Sequence, residues 1–285
     1  MRQLVHDITS QLLPAYPPDE AEGLAWWIME ELTGCSRTQI ICGDKSTTNF
    51  PHLQEKLPEI ITRLLHFEPI QYIFGHTEWM GLDLKVTPAT LIPRPETAEL
   101  VDRINEKMGK CENEKMQKLL DIGTGSGCIA VALKKAHPEW EVTGIDISPD
   151  AIAVAKENAG RNGASVHFRK ADIFSDEIGT FDIIVSNPPY ICEKEKASMR
   201  HNVLDYEPDT ALFVPDYDPL RYYRRIAELF SASERRSGEV FLFFEINEAY
   251  GAAMTALLRE TGYTDILITK DSYGKDRIIE CRMAG

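Results

Sequence analysis

The run FDIIVSNPPY, Phe181 to Tyr190, sets an amide, two prolines and an aromatic ring directly after a strand-like apolar stretch. Proline has no amide proton to offer a sheet ladder, so the strand must stop there. The residues that stop it have a chemistry of their own. The Asn187 side-chain oxygen and the Pro188 carbonyl are two hydrogen-bond acceptors, and Pro188 and Pro189 hold them in one geometry. A planar NH2 group is a poor nucleophile because its lone pair is delocalised. Two fixed acceptors, one for each N–H, draw electron density toward that nitrogen and fix its direction. The Tyr190 ring can cover such a flat group. Asn187, Pro188 and Tyr190 are therefore the catalytic candidates, and Asn187 to Tyr190 together form the candidate substrate contact. The plain alternative is a Pro-Pro turn beside a surface tyrosine.

A second group of residues suits a nucleoside. LLDIGTGSGCIAVAL places Gly123, Thr124, Gly125, Ser126 and Gly127 between a strand and a helix. Glycine allows tight turns and close approach of another molecule, and the following helix presents free amide groups. The spacing is G-x-G-x-G, not the G-x-G-x-x-G that seats a pyrophosphate, and no G-x-x-x-x-G-K-[ST] run is present. The next strand, VTGIDIS, ends at Asp146, where an acid can grip ribose hydroxyls. Asp146 could instead cap the following helix, although Ser148 and Asp150 are better placed for that. The third strand ends in KADIF, and Asp172 with Ile173 suits the amino group and the face of an adenine, with a solvated loop acid as the alternative. Three strand ends in series point to a nucleoside site at the carboxyl edge of a sheet. S-adenosylmethionine has a ribose and an adenine but no phosphate, and these residues match it.

The elements that must position these groups fall into two parts. Before about Phe74 the pattern is helical. PPDEAEGLAWWIMEELTG starts with proline and acids and ends at Gly34, and its apolar stripe is expected to run through Leu24, Trp27, Ile28 and Leu32. FPHLQEKLPEIITRLLHF repeats the helical pattern through Leu57, Ile60, Ile61, Leu64 and Leu65. Trp79, Leu82, Leu84 and Val86 then alternate about a turn at Gly81, as in a hairpin. From Leu119 strands and helices alternate, which predicts a doubly wound, largely parallel α/β sheet. The last two strands, DILITKD and RIIECRM, predict an antiparallel hairpin at its edge. The expected domains are 1–74 (helical), 75–93 (a β-hairpin linker) and 94–285 (the α/β domain).

The chain has 285 residues, 43% of them hydrophobic, enough for two domains with sizeable cores. Its formal net charge of −14 repels a phosphate backbone, so a stable nucleic-acid partner is not expected. Cys35, Cys42, Cys111, Cys128, Cys192 and Cys281 are scattered, as reduced thiols would be, and no histidine spacing suggests a metal. No apolar run is long enough to span a bilayer and the N-terminus is not a signal peptide, so the expected location is cytoplasmic.

In this order DIGTGSG, GIDIS, KADIF and VSNPPYI resemble a class I S-adenosylmethionine-dependent methyltransferase, with a Rossmann-like sheet, and NPPY resembles the signature of enzymes that methylate planar NH2 groups. A more specific likeness lies in Glu68-Pro69, Gln71-Tyr72-Ile73, Gly75, Gly81 and above all Leu91-Ile92-Pro93-Arg94-Pro95-Glu96-Thr97, with YEPDTALF and YGKDRII further on. These resemble the release factor glutamine methyltransferases, the PrmC/HemK group. That resemblance implies a monomer that methylates the glutamine of the Gly-Gly-Gln loop of peptide chain release factors, releases S-adenosylhomocysteine, and uses its helical N-terminal domain to help hold the protein substrate. Arg94 and Glu96 either line the glutamine entrance or form a salt-bridged helix start. The chain departs from the group at Ala98, at Glu245-Ile246-Asn247 and at Phe213-Val214-Pro215, which leaves the contacts of the loop from Cys192 to Pro219 open. Within that loop, Glu193, Lys194, Glu195 and Lys196 are expected to be solvated.

Rival readings differ in what they need. An amino methyltransferase acting on N6 of adenine, or another enzyme of DNA or RNA, would keep NPPY but flip a base into a basic channel. A non-catalytic binding module has no need of the intact Asn187 to Tyr190 run, and a dehydrogenase would need the other glycine spacing.

Overall fold

The structure is a computed structural model that describes residues 1–42, 51–109, 117–231 and 239–283, so Cys111 lies outside the described residues. It divides into two compact units, one of residues 1–75 with 200–206 and one of residues 76–199 with 207–285.

The first unit is helical: α1 (Arg2–Leu12), α2 (Pro18–Thr33), α3 (Arg37–Cys42), α4 (Pro51–Leu65), α5 (Ile70–Phe74) and the single turn α9 (His201–Leu204). Pro18 at the start of α2, Asp19 and Glu20 in its first turn and a left-handed Gly34 after its end frame that helix as its sequence implies. Its buried face differs from the expected stripe. Ala21, Ala25, Trp26, Ile28 and Met29 are buried, whereas Leu24, Trp27 and Leu32 are only partly so. α1, with Ile8 and Leu12 fully buried, packs against α2 in the same core cluster. On α4, Ile60, Ile61 and Leu64 are buried and Leu65 is exposed. The segment 200–206 contributes Arg200 beside Glu20, His201 stacked on Phe67, and the Tyr206 hydroxyl donating to the His66 carbonyl at 2.8 Å.

The second unit opens with the hairpin β1 (His76–Trp79) and β2 (Leu82–Lys85). Met80 and Gly81 both have positive φ, 49° and 71°, as a twisted two-residue hairpin turn requires. Trp79, Leu82, Leu84 and Val86 are all buried. A seven-stranded sheet comes next: β3 (Lys118–Ile122), β4 (Glu141–Asp146), β5 (His167–Lys170), β6 (Ile183–Ser186), β9 (Val240–Glu245), β10 (Thr264–Lys270) and β11 (Asp276–Met283), in the order β10-β11-β9-β6-β3-β4-β5. The five strands from β9 to β5 in that order are parallel, and β10–β11 is the expected antiparallel edge hairpin.

Successive residues of the central strands face opposite layers. Leu119, Val185 and Phe243 pack with α6 (Pro95–Met108), α7 (Cys128–Ala136) and α8 (Pro149–Arg161). Leu120, Ile184, Leu242 and Phe244 pack with α11 (Arg221–Ser231) and α12 (Gly251–Glu260). Burial on both faces is why these strands read as continuous apolar runs. The parallel register aligns the strand ends. Ile122 pairs with Ser186 and Ile145, Asp146 with Lys170, and Ser186 with Phe244. The next residues of each strand therefore emerge side by side at one edge, and the strand order reverses between β3 and β6, where such sheets open a crevice.

The loop after β6 holds order that no periodicity signals. Two-residue strands β7 (Ile191–Cys192) and β8 (Phe213–Val214) pair in parallel, and a single turn α10 (Asp209–Leu212) precedes the second. Two charges expected in solvent are engaged. Glu195 accepts from the Cys192 N–H at 2.8 Å and from the Asn247 amide at 3.3 Å. Lys196 pairs with Glu193 at 2.7 Å and sits over the Phe213 ring. Glu193 and Lys194 are exposed. The reason is topological: β7 and β8 bring the two ends of the loop together, so Glu195 and Lys196 meet protein groups.

Candidate active site at the carboxyl edge of the sheet

A cavity of about 300 Å³ lies over the carboxyl ends of β3, β4, β5 and β6, with Gly123, Thr124, Gly125, Ser126, Asp146, Asp172, Ile173, Asn187, Pro188, Pro189 and Arg94 on its wall. Gly127, Tyr190 and Glu96 are not on that wall.

The glycine loop is built by backbone. Gly123, Gly125 and Gly127 have φ of 70°, 53° and 79°, conformations that side chains disfavour. The Gly123 and Thr124 N–H groups both donate to the Ile145 carbonyl at 2.9 Å. A Cβ on Gly123 would meet nothing within 4 Å, so this stretch of backbone is open to a ligand in the cavity. Gly127 serves packing instead. A Cβ there would lie 3.0 Å from the Ala155 Cβ and 3.2 Å from Phe168. The close approach of α8 to the loop and the left-handed backbone both call for glycine at that position.

Asp146 and Ser148 divide their tasks. Ser148 caps α8, accepting from the Ala151 N–H at 3.2 Å. Asp146 accepts from the Gly125 N–H and the Ser148 N–H, both at 2.9 Å, and so ties the end of β4 to the glycine loop. Burial raises the Asp146 carboxyl, and these N–H groups oppose that rise. Asp172 accepts from the Phe174 N–H at 2.9 Å in the tight turn after β5. Beneath the loop, Asp121 is fully buried. Its Oδ2 accepts from Thr124 at 2.6 Å, and burial pushes the carboxyl up to about 7 against the pull of the Thr124 hydroxyl and the Ala130 N–H.

The other end of the cavity is built from side chains distant in sequence. The Asn187 amide Nδ2 donates to Thr97 Oγ1 at 3.2 Å. The Thr97 hydroxyl donates to Glu245 Oε2 at 2.7 Å, and the Tyr190 hydroxyl donates to Glu245 Oε1 at 2.9 Å. Glu245 is 2% exposed, and burial raises its carboxyl against the pull of the two hydroxyl donors. Tyr190 therefore points its hydroxyl at Glu245 and packs its ring against the core beside α11 and α12, rather than covering the cavity as its sequence position suggests.

Arg94 pairs with Glu207 at 2.5 Å, and the second Glu207 oxygen accepts from the Ile92 N–H at 3.2 Å. The Glu207 side chain is 1% exposed. The LIPRPET block is thereby clamped to the EPDTALF block, whose Pro208, Thr210 and Ala211 also line the cavity. Arg94 thus lies on the wall and in an ion pair at once. Glu96 sits in the first turn of α6, away from the wall.

Sequence reasoning missed Thr97, Glu245 and Glu207 as parts of the site, and the aromatic rim of Phe174 and Tyr222 with Arg221 over both rings. An acid at the end of the apolar run VFLFFE was a visible signal for Glu245. No local signal links Phe174 with Tyr222. No group of side chains able to hold a metal ion occurs among the described residues, and no helix among them is long and apolar enough to cross a membrane.

Comparison with known proteins places the chain among methyltransferases. Residues 98–213 match the Methyltransferase small domain, and residues 3–75 match the PrmC N-terminal domain. A Release factor glutamine methyltransferase of Bacteroides thetaiotaomicron is 48% identical over 98% of this chain and 99% of its own length. One of Flavobacterium psychrophilum is 40% identical over 94% of each. Among solved structures, a methyltransferase from Pyrococcus furiosus is similar with a TM-score of 0.50 at 18% identity, covering 79% of this chain and 98% of that one. The architecture is accordingly the class I methyltransferase fold with a helical N-terminal domain.

Proposed function

The chain belongs to the release factor glutamine methyltransferases, and on that premise we propose that it transfers a methyl group from S-adenosylmethionine to the side-chain amide nitrogen (N5) of the Gly-Gly-Gln glutamine in peptide chain release factors. The observation that carries this reading is the pairing, on one sheet edge, of an open glycine loop with an Asn187 whose amide nitrogen is already held by Thr97. The asparagine oxygen is left for a substrate N–H, and the Pro188 carbonyl can take the other.

The fit to the cofactor is chemical. Gly123 and Gly125 leave the backbone open, Asp146 can accept from ribose hydroxyls, and Asp172 and Ile173 can meet the adenine edge and face. S-adenosylmethionine supplies an electrophilic methyl carbon on a sulfonium sulfur. Asn187 and Pro188 hold the glutamine nitrogen so that its lone pair faces that carbon. Bound there, S-adenosylmethionine would give up its methyl group to that nitrogen, with the carbon–sulfur electron pair staying on sulfur and the extra proton on nitrogen going to water. Acceptors already fixed in place need little reorganisation during transfer. The helical unit of residues 1–75 and 200–206 helps hold the release factor, and the enzyme acts where release factors work, in the cytoplasm.

The test is direct. The protein is incubated with labelled S-adenosylmethionine and either a release factor, its Gln-to-Ala loop variant, DNA or RNA. Label on the release factor alone, absent from the variant, is expected. Label on nucleic acid but not on the release factor would sink the reading.

A further inference from the structure

Nothing in a strand end decides which way an asparagine amide faces. Its oxygen and its NH2 group fill nearly the same space, so a half-turn about the last side-chain torsion would present NH2 to the substrate NH2. We propose that Glu245, acting through Thr97, sets the direction of the Asn187 amide, and that both are positioning residues for methyl transfer. This rests on the proposed function, in which Asn187 accepts a substrate N–H.

Hydrogen-bond polarity fixes the direction. An ionised carboxylate only accepts. Glu245 meets two hydroxyls, Thr97 at 2.7 Å and Tyr190 at 2.9 Å, so both must donate to it. A threonine has one hydroxyl proton. Once it goes to Glu245, Thr97 Oγ1 can only accept from its other neighbour, the Asn187 Nδ2 at 3.2 Å. The NH2 end of Asn187 is thereby held inward, and its oxygen carries no other side-chain hydrogen bond among the described residues. A neutral acceptor in place of Glu245 could not enforce this direction. Glu245 itself is off the cavity wall, while Thr97 is on it, so the carboxylate acts at one remove. Burying a carboxylate is unfavourable unless its charge is supported and has a task; the nearby Arg277 guanidinium favours the charged form of Glu245 against its burial, and orienting the relay is such a task. The four residues come from two elements, α6 and β9, and the loop after β6, and Thr97 and Glu245 are 148 positions apart. Folding, not local sequence, assembles the relay.

Glu245→Gln tests the direction itself. The glutamine keeps the shape but adds an NH2 group. With that group toward Thr97, the threonine proton must turn to Asn187, whose amide then flips and offers NH2 to the substrate. Expected is a fall in kcat of about 100-fold, the scale of losing one positioned hydrogen-bonding group at a reacting centre, with the Kd for S-adenosylmethionine unchanged. Thr97→Val removes the relay without reversing it and should lower kcat by roughly tenfold, a single hydrogen bond's worth. Thr97→Ser should restore wild-type kcat. In the Thr97→Val background, adding Glu245→Gln should lower kcat no further. An unimpaired Glu245→Gln enzyme, a loss of cofactor affinity equal to the loss of kcat, or a Thr97→Ser enzyme as slow as Thr97→Val each overturns the relay while wild-type transfer to the release factor upholds the functional reading. Wild-type protein that methylates no release factor overturns that reading and the relay with it.

Discussion

The two ends of the cavity are made by different means. At the glycine-loop end, contacts are between backbone groups and acids within one or two residues of a strand end: Gly125 with Asp146, Phe174 with Asp172. At the Asn187 end, contacts run between side chains up to 148 positions apart. In the proposed reaction the first end need only match the shape of a nucleoside, and backbone placed by a parallel sheet is enough for that. The second must present hydrogen-bond acceptors in one direction, and that requires a chain of side chains with defined polarity. Cofactor affinity and methyl transfer should therefore be separable by mutation.

Asn187→Ala should show the largest effect. Removing the acceptor is expected to lower kcat by about 100- to 1,000-fold, with the cofactor Kd within several-fold by calorimetry. Turnover that survives would place the acceptor elsewhere. Asp146→Ala should do the reverse, weakening S-adenosylmethionine by roughly 10- to 100-fold through lost hydrogen bonds to a charged group, while kcat at saturating cofactor changes little. An unchanged Kd would remove Asp146 from the ribose. Gly144→Ala probes the scaffold under the glycine-loop end, because its Cβ would lie 2.5 Å from the Phe168 ring and 2.8 Å from Thr124 Oγ1. It should destabilise the fold by about 1–3 kcal/mol, read from denaturant melts, and a neutral result would show that the loop yields easily.

The smallest effect concerns pH. Asp121 has its carboxyl raised to about 7 from an ordinary 3.8 by burial. The native state then binds this proton more tightly than the unfolded state, so its contribution to stability is full below about 4 and is lost as pH rises to 7. Asp121→Asn keeps an acceptor for Thr124 and abolishes the titration. Its melting temperature relative to wild type should rise between pH 5 and pH 8 by a few degrees, about 2–4 °C for each kcal/mol. A constant difference would mean that Asp121 stays charged in the fold.

The ease of reading the two ends from sequence tracks the same division. DIGTGSG, GIDIS and KADIF each carry their signal within a few residues, and each reaches the cavity. Gly127 lies off the cavity wall, and a glycine packed against Ala155 and Phe168 looks in sequence like a glycine that faces a ligand. For Tyr190, the position after Pro188 and Pro189 says where the backbone goes, but that its hydroxyl meets Glu245 depends on a partner 55 positions away. The stripe of α2 is legible only in part: Ile28 is buried as its hydropathy implies, but the small Ala21 and Ala25 are buried where Leu24 and Leu32 are only partly so. The loop from Cys192 to Pro219 was illegible, since strands of two residues have no period.

By itself the sequence determined the alternation of strand and helix, the glycine turn, the two rigid acceptors after β6 and, through the LIPRPET block, the family. These are properties of short segments, set by periodicity, proline and glycine geometry and hydrogen-bonding inventory. Only the tertiary structure decided that Thr97 meets Asn187, that Glu245 faces both Thr97 and Tyr190, and that Glu207 clamps Arg94. Such pairings depend on the register of parallel strands and the seating of α6 against them, and no segment of chain encodes those alone.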